Sequence, residues 1–176
     1  MTTESDATRF AEQGKSAFQA ARYESAAGSF RAASQAYAAL GNRVDAAEQT
    51  NNLSVALLKA GRPQEALDTV RGTENVFAGA ADVRRQGMAI NNQAAALEAL
   101  HRWDEALQAY ERAAQLLAEA GDGEFRSLAL KSAAAMQLRR GKVAESGLRM
   151  IGVLEARDRP SIFDRILRAL LRVIQR

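Results

Sequence analysis

The chain restates one pattern at an offset of forty residues. The stretch NNLSVALLKAGRPQEALDTV, residues 51–70, returns as NNQAAALEALHRWDEALQAY at residues 91–110. Further steps of forty align small residues at Ala26, Ala66, Ala106 and Ser146, and large apolar residues at Phe30, Val70, Tyr110 and Met150. A fixed period of this length is typical of arrays in which each unit buries its apolar face against its neighbours. We therefore expect four stacked units.

Helix is the regular structure that the composition favours. The chain has only two prolines, Pro63 and Pro160, and lacks the alternation of β-branched residues that marks strands. Abundant alanine allows neighbouring helices to approach closely. Each unit is predicted to be a pair of helices, at residues 8–20 and 24–40, 43–60 and 64–78, 83–100 and 104–120, and 123–140 and 144–157.

The predicted helix ends carry turn and capping residues at the same period. The turn inside each unit falls at Ala21, Gly61, His101 and Gly141, where a helix commonly ends in the left-handed conformation that glycine adopts best. Between units, the residues predicted to cap the next helix are Asn42, Asp82 and Asp122. Turn residues thus mark the middle of each unit, and capping residues mark the boundaries between units.

The string N-x-x-x-A-L-x-x-x-G-R-x-x-E-A-L, residues 52–67, and its copy at 92–107 with His101 for the glycine, resemble the tetratricopeptide repeat. The resemblance covers residues 12–157 and implies a right-handed α-solenoid of four helix-turn-helix repeats. The unit departs from the usual spacing of about 34 residues. At forty residues it is similar to the longer variant found in peptide-binding adaptors and signalling regulators.

The resemblance also implies a binding groove on the first helices of the units. In the long-repeat variants, Asn side chains there clamp a peptide backbone, because an amide presents a donor beside an acceptor. The candidate groove residues are Asn51, Asn52, Asn91 and Asn92, with Lys15, Lys59, Lys131 and Arg139 as carboxylate contacts. We expect one Asn of each pair to face the groove and the other to brace adjacent helices.

Residues 161–176, SIFDRILRALLRVIQR, break the repeat and form a predicted amphipathic helix. Its apolar residues share one face, and the opposite stripe carries Arg165, Arg168, Arg172 and Arg176. Residues 126–176 hold 12 Lys/Arg against 4 Asp/Glu, whereas residues 1–125 hold 12 against 17. The segment is predicted to cap the solenoid, and the alternative is contact with an anionic membrane or an acidic partner.

The composition argues against several classes of protein. The absence of cysteine and the single histidine leave no disulfide framework, thiolate nucleophile or metal-ligand set. No nucleotide-binding glycine loop is present, and nothing indicates base readout. We expect no catalytic residue, cofactor or metal, and no nucleic-acid partner. Without a signal peptide or a membrane-spanning apolar run, the chain is predicted to be cytoplasmic.

Together these patterns predict an all-α protein with a disordered segment at 1–7, a repeat domain at 8–157 and the basic helix at 161–176. The predicted function is that of a non-enzymatic adaptor that binds a peptide or protein segment in its concave groove. The alternative is a membrane-surface scaffold, similar in layout to the soluble attachment adaptors of membrane fusion, which would use the basic helix.

Overall fold

The computed structural model describes residues 3–139, which are helical apart from short turns. The helical segments in this range are α1 (Glu4–Gln19), α2 (Tyr23–Ala39), α3 (Arg43–Lys59), α4 (Pro63–Val70), α5 (Thr73–Gly79), α6 (Val83–Ala99), α7 (Trp103–Glu119) and α8 (Gly123–Arg139). Within residues 3–139 the structure contains no strand. The prediction of an all-α fold is confirmed for this part of the chain.

The helices pack in chain order as a stack of antiparallel neighbours. Consecutive helices pack on each other except at α4 and α5, which both pack on α3 and on α6 and so together fill the place of one helix. The first helices of the units are α1, α3, α6 and α8, and the second helices described are α2, α4 with α5, and α7. The contact between α3 and α6 brings first helices of successive units side by side.

The core follows the forty-residue register. The small residues Ala26, Ala66 and Ala106 are completely buried at the start of the second helices. One turn further, the large apolar positions Phe30, Val70 and Tyr110 are also buried. Small residues let the paired helices touch, and the large residues fill the space below the first helices. These predicted core positions are confirmed.

The turns recur every twenty residues. A left-handed residue ends a helix at Ala21, Gly41, Gly61, Ala81, His101 and Gly121. At Gly61 the N–H of the following Arg62 bonds the carbonyl oxygen of Leu57 at 2.9 Å, which is the Schellman arrangement. The predicted caps are confirmed, since each side-chain oxygen accepts from a backbone N–H three residues on: Asn42, Asp82 and Asp122.

Two predicted boundaries are wrong. The disorder expected for residues 1–7 does not hold from Thr3 onward, because Thr3 and Asp6 form a capping box and α1 begins at Glu4. The single helix expected at 64–78 is interrupted, because Arg71 is extended and Gly72 takes a left-handed φ of 88° between α4 and α5. Glycine reaches this conformation without the steric cost of a Cβ atom.

Several predictions concern residues outside the described range. These are the turn at Gly141, the repeat positions Ser146 and Met150, the helix expected at 144–157, the basic helix at 161–176 and its arginines Arg165, Arg168, Arg172 and Arg176. Between Thr3 and Arg139, none of the helices has the length and hydropathy needed to cross a membrane.

Candidate functional site

A cavity of about 330 Å³ opens between α1 and α3, the first helices of units one and two. Phe30 from α2 closes its bottom and is only 3% exposed. The lining combines apolar walls with polar groups, from Lys15, Phe18, Gln19, Phe30, Glu48, Asn52 and Val55. An apolar pocket bounded by a few polar groups suits a hydrophobic side chain whose backbone is held by hydrogen bonds.

Gly14 allows Phe30 to lie at the base of this cavity. A Cβ atom built on Gly14 would stand 2.6 Å from two ring carbons of Phe30. Real Cβ atoms do not approach so closely, so any other residue would displace the ring or separate α1 from α2. The cavity therefore depends on a glycine inside a helix, where glycine is otherwise unfavourable.

The first Asn pair divides into one bracing residue and one cavity residue. Asn51 is buried, and its Oδ1 lies 3.0 Å from the hydroxyl of Thr73 on α5. Asn52 lines the cavity, where its amide donates to Gln49 at 3.3 Å. Among the described residues no donor bonds the Asn52 carbonyl oxygen. Asn51 thus holds α3 to α5, and Asn52 is placed to meet a ligand.

The second Asn pair occupies equivalent positions on α6 with different surroundings. Asn91 and Asn92 are both partly buried. The Oδ1 atom of Asn91 is buried without a hydrogen-bond partner within residues 3–139. The position forty residues after Thr73 is Ala113, which is buried and has no hydroxyl to offer. Asn92 corresponds in register to Asn52 and stays the second predicted clamp.

The predicted cationic contacts are spread over the face. Lys15 lines the cavity and pairs with Glu12 at 2.8 Å, and the hydrogen bond from its ammonium to Glu12 raises the pKa of Lys15. Lys59 is exposed and corresponds to the cavity residue Gln19. Lys131 is exposed, but it lies two repeats after Asn51 and so corresponds to the bracing position. The side chain of Arg139 lies outside the part of the chain that is described.

The cavity residues have counterparts forty and eighty positions along the chain. We call the resulting surface the first-helix face; it is formed by α1, α3, α6 and α8, and the buried residues Phe30, Val70 and Tyr110 of the second helices lie at its base. Its middle portion carries Val55, Leu58, Lys59, Val70, Met88, Asn92 and Ala95. Its last portion carries Ala95, Glu98, Ala99, Tyr110, Leu128, Ser132 and Ala135. The chemistry changes along the face. The portion at α1 is mixed, the middle portion is mainly apolar with Lys59 and Asn92, and the last portion carries Glu98 on α6 and Leu128 on α8.

A polar contact that the sequence analysis missed lies in the last portion. The Tyr110 hydroxyl donates to Glu98 Oε2 at 2.8 Å. Burial raises the pKa of Tyr110, the hydrogen bond to Glu98 and its charge raise it further, and a hydrogen bond with Ser132 opposes them. The signal in the sequence was Tyr110 at the position held by Phe30 and Val70, because a buried phenol hydroxyl requires a partner.

His101 and Trp103 lie together at a turn between α6 and α7. Their rings meet edge to face with centroids 4.9 Å apart, and His101 takes a left-handed φ of 60°. Within residues 3–139 no group of three or more His, Cys, Asp or Glu side chains could hold a metal ion. The His–Trp contact belongs to the turn.

No protein-family model matches this chain, and no curated protein sequence is significantly similar to it. The repeat, the helix stack and the first-helix face are therefore the basis for the functional argument.

Proposed function

We propose that this chain is a non-enzymatic interaction module of the tetratricopeptide type, a right-handed α-solenoid that binds an extended segment of a partner protein on its first-helix face. The observation that carries the proposal is the cavity between α1 and α3, in which Asn52 and Lys15 border a pocket formed by Phe18, Phe30 and Val55.

The repeat geometry supports this assignment. Helix starts at Arg43, Val83 and Gly123 are forty residues apart, and so are those at Tyr23, Pro63 and Trp103. Buried alanines follow the turn in each second helix. Tetratricopeptide repeats resemble this arrangement, with a small residue at the contact of two antiparallel helices and the first helices side by side on one face.

The cavity suggests how a segment would be held. A large apolar side chain would enter between Phe18 and Val55 above Phe30, where its surface leaves water. The Asn52 amide would then bond the N–H and C=O of the bound backbone, and Asn92 would repeat the contact one unit on. Lys15 and Glu48 border the entrance and would select charged side chains next to the apolar anchor.

The test begins with a peptide selected from a random dodecamer library against the full chain, because the natural ligand is unidentified. Binding of this labelled peptide is measured by fluorescence anisotropy for the wild type and for Asn52→Ala and Asn92→Ala. Each lost backbone contact is worth about 1 kcal/mol, so each variant should bind roughly fivefold more weakly. Circular dichroism should show unchanged helicity.

Asn75→Ala is the matched control, because Asn75 is exposed on α5 and does not line the α1–α3 cavity. It should bind the peptide as the wild type does. Wild-type affinity in the Asn52 and Asn92 variants, or an equal loss in the Asn75 variant, would rule out the first-helix face as the binding surface. Lost helicity in the Asn52 variant would instead show that this side chain braces the stack.

A further inference from the structure

The last described helix presents apolar side chains to solvent on the first-helix face. Leu128 is 50% exposed and Leu138 is 52% exposed. Ala135 and Lys131 are exposed between them, and the spacing of 3, 7 and 10 residues from Leu128 places all four on one side of α8. By the forty-residue register, Leu128, Ala135 and Leu138 correspond to residues that line the cavity between α1 and α3, namely Glu48, Val55 and Phe18. Lys131 corresponds instead to the bracing residue Asn51.

Glu98 lies at the same end of this face without a cationic partner in the described range. Its carboxylate is partly buried and accepts a hydrogen bond from Tyr110. No ion pair within residues 3–139 includes it. By contrast, Glu12 and Glu48 on the same face pair with Lys15 and Arg85. A partly buried carboxylate on the same face as exposed leucines suits a ligand that carries both basic and apolar side chains.

We propose that residues 161–176 of this same chain bind the surface formed by α6 and α8, with their apolar face on Leu128 and Leu138 and an arginine paired with Glu98. The sequence of this segment, SIFDRILRALLRVIQR, supplies both kinds of side chain at helical spacing.

The chain that follows α8 is long enough for residues 161–176 to reach the surface of α6 and α8. Residues 140–160 join α8 to the segment and could span about 70 Å if extended. The 17 residues of α8 measure about 25 Å along the helix. A segment of 16 residues in helical form is nearly as long as α8, so its apolar stripe can follow Leu128 through Leu138.

The balance of charge favours the same contact. Residues 3–139 carry 15 Lys/Arg and 17 Asp/Glu, whereas residues 140–176 carry 9 Lys/Arg and 4 Asp/Glu. The described helices are thus slightly acidic, and the segment that follows them is basic. A tethered segment acts at a high effective concentration, so modest complementarity is enough to keep it bound.

The absence of cysteine allows a clean cross-linking test in the full chain. Leu138→Cys is combined with Leu170→Cys, and the control combines Leu170→Cys with Leu40→Cys, because Leu40 is another exposed leucine, 43% accessible at the end of α2. Under mild oxidation at low protein concentration, the first pair should form an intrachain disulfide at least about tenfold faster than the control pair. Adding Glu98→Arg should slow this reaction.

Three results would overturn the proposal. Equal rates for the two pairs would show that the segment does not prefer α8. Disulfide-linked dimers would assign the surface to a second copy. Sedimentation of the full chain with phosphatidylserine vesicles, without intrachain disulfide, would place the segment on a membrane. In each case peptide binding that depends on Asn52 would still uphold the proposed function, so the two proposals fail separately.

Discussion

At the scale of single residues, two helix-interior glycines between Thr3 and Arg139 are required where a second helix packs closely on a first helix. Gly14 lies against the ring of Phe30, and Gly87 lies against Leu117, whose Cγ would be 2.9 Å from an added Cβ atom. Gly28 has no such role, because it is exposed in α2 and a Cβ there would meet nothing within 4 Å. The same residue type therefore has opposite consequences for stability at these positions.

Gly87→Ala should destabilise the protein by about 1–3 kcal/mol, because the added methyl group overpacks the contact with Leu117. Gly28→Ala should stabilise it by about 0.5–1 kcal/mol through the better helix propensity of alanine. Urea unfolding followed by circular dichroism measures both free energies of unfolding. If Gly87→Ala proved as stabilising as Gly28→Ala, that result would contradict a close contact between α6 and α7 at Gly87.

Tertiary partners distinguish residues that occupy the same repeat position. Asn51 is satisfied by Thr73, while Asn91 has Ala113 at the matching place and its Oδ1 atom is left without a partner in the described chain. The forty-residue register predicts where each Asn lies on its helix. It does not predict the hydrogen bond, because the donor comes from another helix whose residue differs between units.

At the scale of helices and turns, the stack depends on a left-handed residue every twenty positions. Glycine occupies this position at Gly41, Gly61 and Gly121, whereas Ala21, Ala81 and His101 adopt it at a steric cost. The Schellman hydrogen bonds form at all of these turns, including the bond from Asp82 N–H to the Phe77 carbonyl oxygen at 2.9 Å. The packing of the paired helices therefore holds these residues in the left-handed conformation even where a Cβ atom makes that conformation unfavourable.

Ala81→Gly should stabilise the protein by about 1 kcal/mol, because glycine adopts the φ of 55° without the clash that alanine suffers. Ala80→Gly is the adjacent control, since Ala80 has a φ of −91°. This variant should be about 0.5–1 kcal/mol less stable, because glycine adds conformational freedom to the unfolded chain. Thermal unfolding of both variants provides the comparison. A lower melting temperature for Ala81→Gly would contradict the left-handed turn.

At the scale of the whole molecule, stability comes from contacts between chain neighbours. Ion pairs also link successive units, as between Arg62 and Glu24 and between Arg84 and Asp122, but at least one side chain of each pair is more than half accessible. Accessible pairs contribute little, typically under about 1 kcal/mol each. The buried contacts between helices are therefore the main source of cooperativity, and α1 packs chiefly on α2.

Native-state hydrogen exchange should reveal this organisation. Amides of α3 and α6, which have packed helices on both sides, should exchange with a higher free energy of opening than those of α1. The gradient should persist in the Asn75→Ala variant, whose substitution is exposed. Equal protection from α1 through α6 would instead show that the described units unfold as one block.

Within residues 3–139 the sequence by itself determined most local features: the pairing of helices apart from the break at Arg71 and Gly72, the turns, the caps and the core positions Ala26, Ala66 and Ala106. These follow from backbone preference and from a period that each unit repeats. Only the tertiary structure decided that Asn52 lines a cavity while Asn51 braces α5, and that Glu98 accepts a hydrogen bond from the Tyr110 hydroxyl. The reason is physical: a site is formed by side chains from different helices, and their distances are set by packing.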